Sequence, residues 1–140
     1  MKNNKLVRLL CQAMIIVSMP SLSFADVTPL TTDSPDSCDK FNQVKSVIVV
    51  HAAGCPWAEG YVDDMSEVST ETNYQDWHYY ELTFSLDKKD PNKTICGKTI
   101  NNCPVTFIKN ENGQDSDPLH GRLTKEQLKA ALDQASSPTK

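Results

Sequence analysis

A six-residue apolar run, Ser46 to His51 (SVIVVH), constrains the fold more than any other segment of the chain. Its β-branched residues do not alternate with polar ones, which predicts a strand that is buried on both faces of a sheet. Gly54 and Pro56 follow at once, and apolar residues then recur every three or four positions to about residue 69, which predicts an amphipathic helix. The chain therefore turns directly from a buried strand into a helix, and Cys55 lies at that turn.

The flanking segments supply the other elements of an α/β fold. The pair Ser34-Pro35 is typical of a helix start, and Thr124 to Gln127 has the pattern of a capping box. Residues 87–102 carry no clear period and are expected to be irregular, with at most one helical turn. The order of elements predicts a central mixed β-sheet flanked by helices on both faces. Besides the central strand and helix, the predicted elements are a helix over 36–45, strands over 77–86 and 105–109, a hairpin turn at 110–113, an edge strand over 114–119 and a last helix from 125.

The first 25 residues have the order of a secretory signal. A basic start is followed by an apolar stretch that includes Ala13 to Val17, and the small residues Ser23 and Ala25 precede a predicted cleavage site. The apolar stretch is short for a membrane span, so we expect a cleaved signal peptide over 1–25 rather than a membrane anchor. A periplasmic protein that is not inserted in the membrane after cleavage follows from this prediction.

The remaining 115 residues are enough for one domain. We predict a linker or loosely attached first strand over 26–36, the domain over 37–136 and a disordered tail over 137–140. The segment 1–25 holds three of the 14 basic residues and none of the 18 acidic ones, so the formal net charge changes from −4 to −7 once it is removed. An acidic surface argues against nucleic acid as a partner.

Four of the five cysteines lie beyond the predicted signal peptide, at Cys38, Cys55, Cys96 and Cys103. An even number in an oxidising compartment permits two disulfides, and three connectivities are possible. The spacing lacks the repeated close pairs of a structural zinc site. A structural role is expected for His51, and no metal or cofactor is predicted.

Cys55 has the surroundings of a reactive sulfur. The first turn of a helix presents unpaired N–H groups and a partial positive charge, which stabilise a thiolate and lower the pKa of the thiol. The alternative is that Cys55 is one half of a structural disulfide.

Three motifs in a fixed order resemble the thioredoxin superfamily. The segment Cys55-Pro56-Trp57-Ala58 follows the buried strand at the place of the superfamily's C-x-x-C motif. The segment that starts at Cys103-Pro104 precedes a strand, as the superfamily's cis-proline does, and a strand-turn-strand-helix unit ends the chain. The resemblance implies a thioredoxin-like fold over nearly the whole predicted domain.

The sequence departs from the superfamily pattern at two positions. Ala58 stands where the resolving thiol is expected, so the usual C-x-x-C disulfide cannot form. Val49 stands six residues before Cys55, where the superfamily often has a buried carboxylate that serves the second thiol.

The resemblance also suggests which cysteines pair. In the superfamily the residue before the cis-proline packs against the attacking sulfur, which implies either a Cys55–Cys103 disulfide or a resolving role for Cys103. Cys38 and Cys96 would then pair. The rival connectivity, Cys96–Cys103 with Cys38–Cys55, stays open because sequence does not settle pairing.

The function that the resemblance implies is thiol–disulfide exchange or isomerisation on exported protein thiols and disulfides, with a membrane or periplasmic redox partner. Cys55 and Cys103 are the candidate catalytic residues, and Pro56, Trp57 and Pro104 are the candidate substrate-binding residues. The alternative is a non-catalytic binding or assembly module in which two structural disulfides hold all four cysteines.

Overall fold

The computed structural model describes residues 26–32, 34–85 and 93–137. The predicted signal peptide lies outside the described residues, as do residues 138–140 of the predicted tail. Within the described ranges, none of the helices combines the length and the apolar character that a membrane crossing requires. The elements in chain order are β1 (Thr28–Thr31), α1 (Pro35–Lys40), β2 (Ser46–Ala52), α2 (Ala58–Thr70), β3 (His78–Phe84), β4 (Lys93–Ile95), β5 (Lys98–Ile100), β6 (Val105–Lys109), β7 (Leu119–His120) and α3 (Lys125–Ser136).

A five-stranded mixed sheet in the order β1-β3-β2-β6-β7 forms the centre of the fold. Strand β2 is parallel to β3 and antiparallel to β6, and all seven of its residues are buried. The apolar run predicted this central position, because a strand flanked by two others and covered on both faces has no side open to water. The α/β class and the mixed sheet are confirmed.

Each face of the sheet packs against its own apolar cluster. Val47 and Val49 of β2 point to the face that α2 and α3 cover, where Leu128 and Leu132 of α3 are fully buried. The alternate residues of β2 point to the other face, which Phe41 after α1 and the β4–β5 hairpin cover. Helices therefore flank both faces, but the cover of the second face is mostly a hairpin.

The hairpin corrects the prediction that 87–102 is irregular. Its two strands pair with one another and not with the main sheet, in the register Ile95↔Lys98. The two turn residues, Cys96 and Gly97, have φ values of 51° and 76°, and a two-residue turn of this kind needs a positive φ at both positions. Cys-Gly is not among the dipeptides that usually mark such turns, so the turn was not recognisable from its residues.

Two other predicted boundaries were wrong. Helix α1 ends at Lys40 instead of continuing to 45, because the chain turns through Lys45, which has a φ of 52°, before it enters β2. The strand after the hairpin turn is only Leu119–His120, preceded by a single bridge between Lys109 and Asp115. Within 26–36, a four-residue strand, β1, pairs with β3 at the sheet edge.

The last helix begins as its sequence predicts. The Thr124 hydroxyl accepts a hydrogen bond from the backbone N–H of Gln127, and the Gln127 side chain accepts one from the Thr124 N–H. This capping box satisfies two donors that have no partner inside the helix.

Candidate functional site

Cys55 lies in the turn between the central strand and α2. Its N–H donates to the Ala52 carbonyl at 3.1 Å, and its own carbonyl accepts from the N–H of Ala58 at 3.2 Å. Gly54 makes the first of these two tight turns with a φ of 79°, a value that residues with a Cβ rarely adopt. The helix thus begins at Ala58, two residues after Pro56, and Cys55 precedes its first turn instead of lying within it.

Cys103 approaches Cys55 from the neighbouring strand. Strands β2 and β6 are antiparallel, with Val50 opposite Val105, so the end of β2 lies beside the start of β6. Cys55 and Cys103 form a disulfide across this junction, with their Cα atoms 6.4 Å apart. The peptide bond between Cys103 and Pro104 is cis.

A second disulfide joins Cys38 of α1 to Cys96 at the tip of the β4–β5 hairpin, with a Cα–Cα distance of 5.2 Å. The structure therefore has the pairing that the resemblance favoured, and the rival connectivity is absent. Only six residues of chain lie between Cys96 and Cys103.

A shallow groove of about 340 Å³ opens beside the Cys55–Cys103 bond, and its lining includes residues 52–57 and Cys103. Both cysteines are half-buried, Pro56 is exposed, and Trp57 is 62% exposed beside them. Pro104 is buried and does not line this groove, and its carbonyl accepts a hydrogen bond from the N–H of Gly121 at 2.8 Å. A larger cavity of about 560 Å³, between residues 108–119 and α3, contains neither cysteine.

One hydrogen-bonded pair of buried hydroxyls joins α2 to β6 in the core. Ala58 is 1% exposed and Val49 is fully buried. The Tyr61 hydroxyl of α2 lies 2.8 Å from the Thr106 hydroxyl of β6. Burial raises the pKa of Tyr61 to about 12, against an opposing effect of the hydrogen bond to Thr106. Tyr61 is therefore neutral at physiological pH, and it joins the helix after Cys55 to the strand after Cys103.

A buried histidine lies directly before the turn that carries Cys55. His51 is 8% exposed, its Nδ1 lies 3.0 Å from the Ala52 carbonyl oxygen, and its Nε2 lies 2.7 Å from Oε1 of Glu81. The Thr83 hydroxyl is 3.3 Å from the same Nε2. His51 was a candidate from the sequence, whereas Glu81 was not predicted, because a single carboxylate in a predicted strand gives no signal of a buried partner 30 positions away.

Two of the four acidic residues of α2 form ion pairs with the segment around α3. Asp64 binds Arg122 at 2.8 Å, and Glu67 pairs with Lys125. In the part of the chain that the structure describes, no group of three or more histidine, cysteine or acidic side chains could hold a metal ion.

The sequence matches no protein-family model, and no curated protein matches it. A solved structure of the thioredoxin Mala s 13 from Malassezia sympodialis is similar to this chain, with a TM-score of 0.53 and 18% sequence identity. The similarity covers 81% of this chain and 93% of that one.

This chain has a thioredoxin-like fold. At this level of identity the similarity concerns the fold alone, so the chemistry of the thioredoxin-like domain has to be argued from its own residues.

Proposed function

We propose that this protein carries out thiol–disulfide exchange on exported proteins, with Cys55 as the attacking sulfur and Cys103 as its partner. The observation that carries the proposal is a disulfide between two half-buried cysteines at the edge of an open groove. An exchangeable disulfide has to be accessible to a second thiol, whereas a purely structural one has no such need.

The proposed reaction has two displacement steps. In the reduced protein the Cys55 thiolate attacks a substrate disulfide, forming a Cys55–substrate disulfide and expelling one substrate thiolate, which takes a proton from water. The Cys103 thiolate then attacks the Cys55 sulfur, which closes Cys55–Cys103 and releases the second substrate thiol. The substrate gains two electrons, and the cysteine pair loses them.

The same bonds allow the reverse reaction and isomerisation. A substrate dithiol that attacks the closed bond is oxidised while Cys55 and Cys103 are reduced. In isomerisation a second substrate thiol attacks the Cys55–substrate disulfide, so no net electron transfer occurs. Exposed Trp57 and Pro56 offer apolar contact to a substrate segment in the groove.

The location in the proposal rests on the sequence. The signal-like order of residues 1–25 supports export to the periplasm, where disulfide chemistry on newly exported proteins takes place. A membrane or periplasmic dithiol protein would reset the cysteine pair after each cycle.

One observation favours a different class of function. Ala58 is buried where the superfamily pattern has its resolving thiol, so the usual redox pair cannot form within α2. If Cys55–Cys103 is as inert as Cys38–Cys96, the thioredoxin-like domain is a binding or assembly module held by two structural disulfides.

Peptide mass mapping in graded glutathione buffers separates the two functions. The folded protein, with residues 1–25 removed, is equilibrated at each potential, free thiols are alkylated, and the state of each disulfide is read from its peptides. We expect Cys55–Cys103 to open at a mild potential while Cys38–Cys96 stays closed. Survival of both bonds in strongly reducing buffer would contradict the exchange function.

A trapping experiment tests the roles of the two sulfurs. Cys103→Ser leaves Cys55 without a resolving thiol, so a mixed disulfide with a scrambled, disulfide-containing test protein should accumulate. The matched variant Cys55→Ser should trap much less, because Cys103 is the partner and not the attacking group. Equal trapping by both variants would contradict this assignment.

A further inference from the structure

We propose that His51 is a positioning residue for Cys55, acting through the Ala52 carbonyl and held in place by Glu81. The inference rests on the proposed exchange function, because it names a residue that prepares the attacking sulfur for that reaction. His51 itself is not among the residues that line the groove, and it meets that lining through Ala52.

The contact between His51 and the turn passes through one oxygen atom. The Ala52 carbonyl accepts from the Cys55 N–H at 3.1 Å and lies 3.0 Å from Nδ1 of His51. A carbonyl oxygen has no proton to give, so the hydrogen in this contact is on Nδ1. The imidazole and the Cys55 backbone therefore bind the same acceptor, and the ring fixes the direction of the carbonyl that closes the turn.

The other ring nitrogen fixes the ring itself. Nε2 lies 2.7 Å from Oε1 of Glu81, within hydrogen-bond distance. Glu81 and Thr83 both belong to β3, which is paired along the whole length of β2, with His51 opposite Thr83. The orientation of the imidazole is thus set by the sheet, and the imidazole transfers that orientation to the turn.

The turn has few other restraints. Ala53 donates its N–H to the Phe84 carbonyl at 2.7 Å, which holds the strand side of the turn. The Cys55–Cys103 bond holds the other side, but each catalytic cycle opens it. In the reduced state the Cys55 backbone is then held by two hydrogen bonds, from its N–H to the Ala52 carbonyl and from the Ala58 N–H to its own carbonyl. A reacting group that is already held in position reacts faster than one that has to be ordered first.

Three substitutions of His51 separate positioning from packing. The amide nitrogen of asparagine is the same number of bonds from Cβ as Nδ1 of histidine. His51→Asn therefore keeps a donor for the Ala52 carbonyl. Gln places its amide nitrogen where Nε2 lies, so His51→Gln keeps the partner of Glu81 but not the donor for Ala52. His51→Phe keeps a ring and loses both contacts.

The rate at which the reduced protein reacts with oxidised glutathione at Cys55 is the first readout. We expect a loss of about tenfold or more in His51→Phe and His51→Gln, and a return to within about threefold of the unchanged protein in His51→Asn. If His51→Phe does not fold, the comparison between Asn and Gln decides the question. Asn no better than Gln would overturn the proposal.

A second readout does not depend on exchange activity. In the oxidised protein, amide hydrogen exchange at Cys55 reports its hydrogen bond to Ala52 directly. Protection should fall in His51→Phe and be kept in His51→Asn. If the unchanged protein exchanges no thiols but this pattern is found, the proposed function fails while the positioning contact stands. Unchanged protection in His51→Phe would overturn the positioning role.

His78→Phe is the matched control. His78 is exposed at the opposite end of β3, where it faces Ser46 at the start of β2. The same change of residue type there should leave both the reaction rate and the protection of the Cys55 amide unchanged. A loss as large as that in His51→Phe would contradict an effect specific to the turn.

Discussion

The Tyr61 hydroxyl and the Thr106 hydroxyl are hydrogen-bonded to one another at 2.8 Å in the core, where both residues are fully buried. Tyr61 is on the helix that follows Cys55, and Thr106 is on the strand that follows Cys103. The pair therefore connects the two elements that carry the disulfide, independently of the disulfide itself.

Breaking this pair from one side should destabilise the protein. Tyr61→Phe leaves the buried Thr106 hydroxyl without its partner, and Thr106→Val does the same to Tyr61, so each change should cost about 1–3 kcal/mol of unfolding free energy. The double variant leaves no unpaired hydroxyl and should cost less than the sum of the two. Urea denaturation of the oxidised proteins measures all three.

An exposed threonine provides the control for that cycle. Thr99→Val on β5 should change the unfolding free energy by no more than about 0.5 kcal/mol. Strict additivity of Tyr61→Phe and Thr106→Val would contradict the direct hydrogen bond.

The raised pKa of Tyr61 predicts how stability depends on alkaline pH. Burial lifts this pKa from 10 in the unfolded chain to about 12, so the folded state keeps the proton longer. The contribution of the protonated Tyr61 hydroxyl to the free energy of unfolding is complete below pH 10 and is lost as the pH rises toward 12. Between pH 9 and pH 11 the free energy of unfolding should fall by on the order of 1 kcal/mol because of Tyr61. Tyr61→Phe should lose less over the same interval, and urea unfolding at both pH values tests the difference.

The Cys38–Cys96 bond should stabilise one part of the molecule more than the rest. The double variant Cys38→Ala/Cys96→Ala removes a cross-link that spans 58 positions. The free energy of unfolding should fall by about 2–5 kcal/mol. Two strands of three residues each are marginal on their own, so the β4–β5 hairpin should lose amide protection first. Hydrogen exchange should show protection kept in β2, β3 and β6.

A uniform loss of protection across the main sheet would contradict this local role. In the double variant the two cysteines that remain in the described chain are bonded to one another, so no free thiol is present there to exchange with the bond. Cys55–Cys103 can therefore be kept closed during the measurement.

Gly60 and Arg122 should be coupled. A Cβ at position 60 would lie 2.9 Å from a guanidinium nitrogen of Arg122, whose side chain also binds the Gly60 carbonyl and Asp64. Alanine suits a helix better than glycine by about 0.5–1 kcal/mol, but Gly60→Ala has to displace Arg122. We expect Gly60→Ala to change the free energy of unfolding little when Arg122 is present. The full gain in stability should appear when Arg122 is also replaced by alanine. Urea denaturation measures both effects. An equal gain in unfolding free energy with and without the Arg122 side chain would show that Arg122 moves aside without an energetic penalty, which would contradict the coupling.

Local patterns in the sequence predict the parts of the fold that one segment determines alone. The run at 46–51 predicts the buried central strand, and the Thr124 capping box predicts the start of the last helix within one residue. These two predictions need only neighbouring residues and a general rule. That Cys55 and Cys103 meet is implied instead by the resemblance of two separate motifs to the thioredoxin superfamily.

The parts that were missed are either too short to show a pattern or depend on pairing between distant segments. The β4–β5 hairpin has only three residues per strand, too few for a period to emerge, and its turn uses Cys96 where asparagine is usual. The contact between His51 and Glu81 exists only because the register of β2 and β3 brings them together across 30 positions. A sequence pattern shows that two strands exist, but not which residues of each are opposite.

The two disulfides also decide how the backbone behaves when it is cut. Cys38 and Cys55 lie before residue 56, whereas Cys96 and Cys103 lie after residue 95, so both bonds tie the first part of the chain to the last. A single cleavage between 56 and 95 leaves one covalent molecule as long as either bond is closed. A cycle that opens Cys55–Cys103 therefore never releases a nicked protein into two pieces while Cys38–Cys96 survives. Fragments separate only under conditions that reduce both bonds.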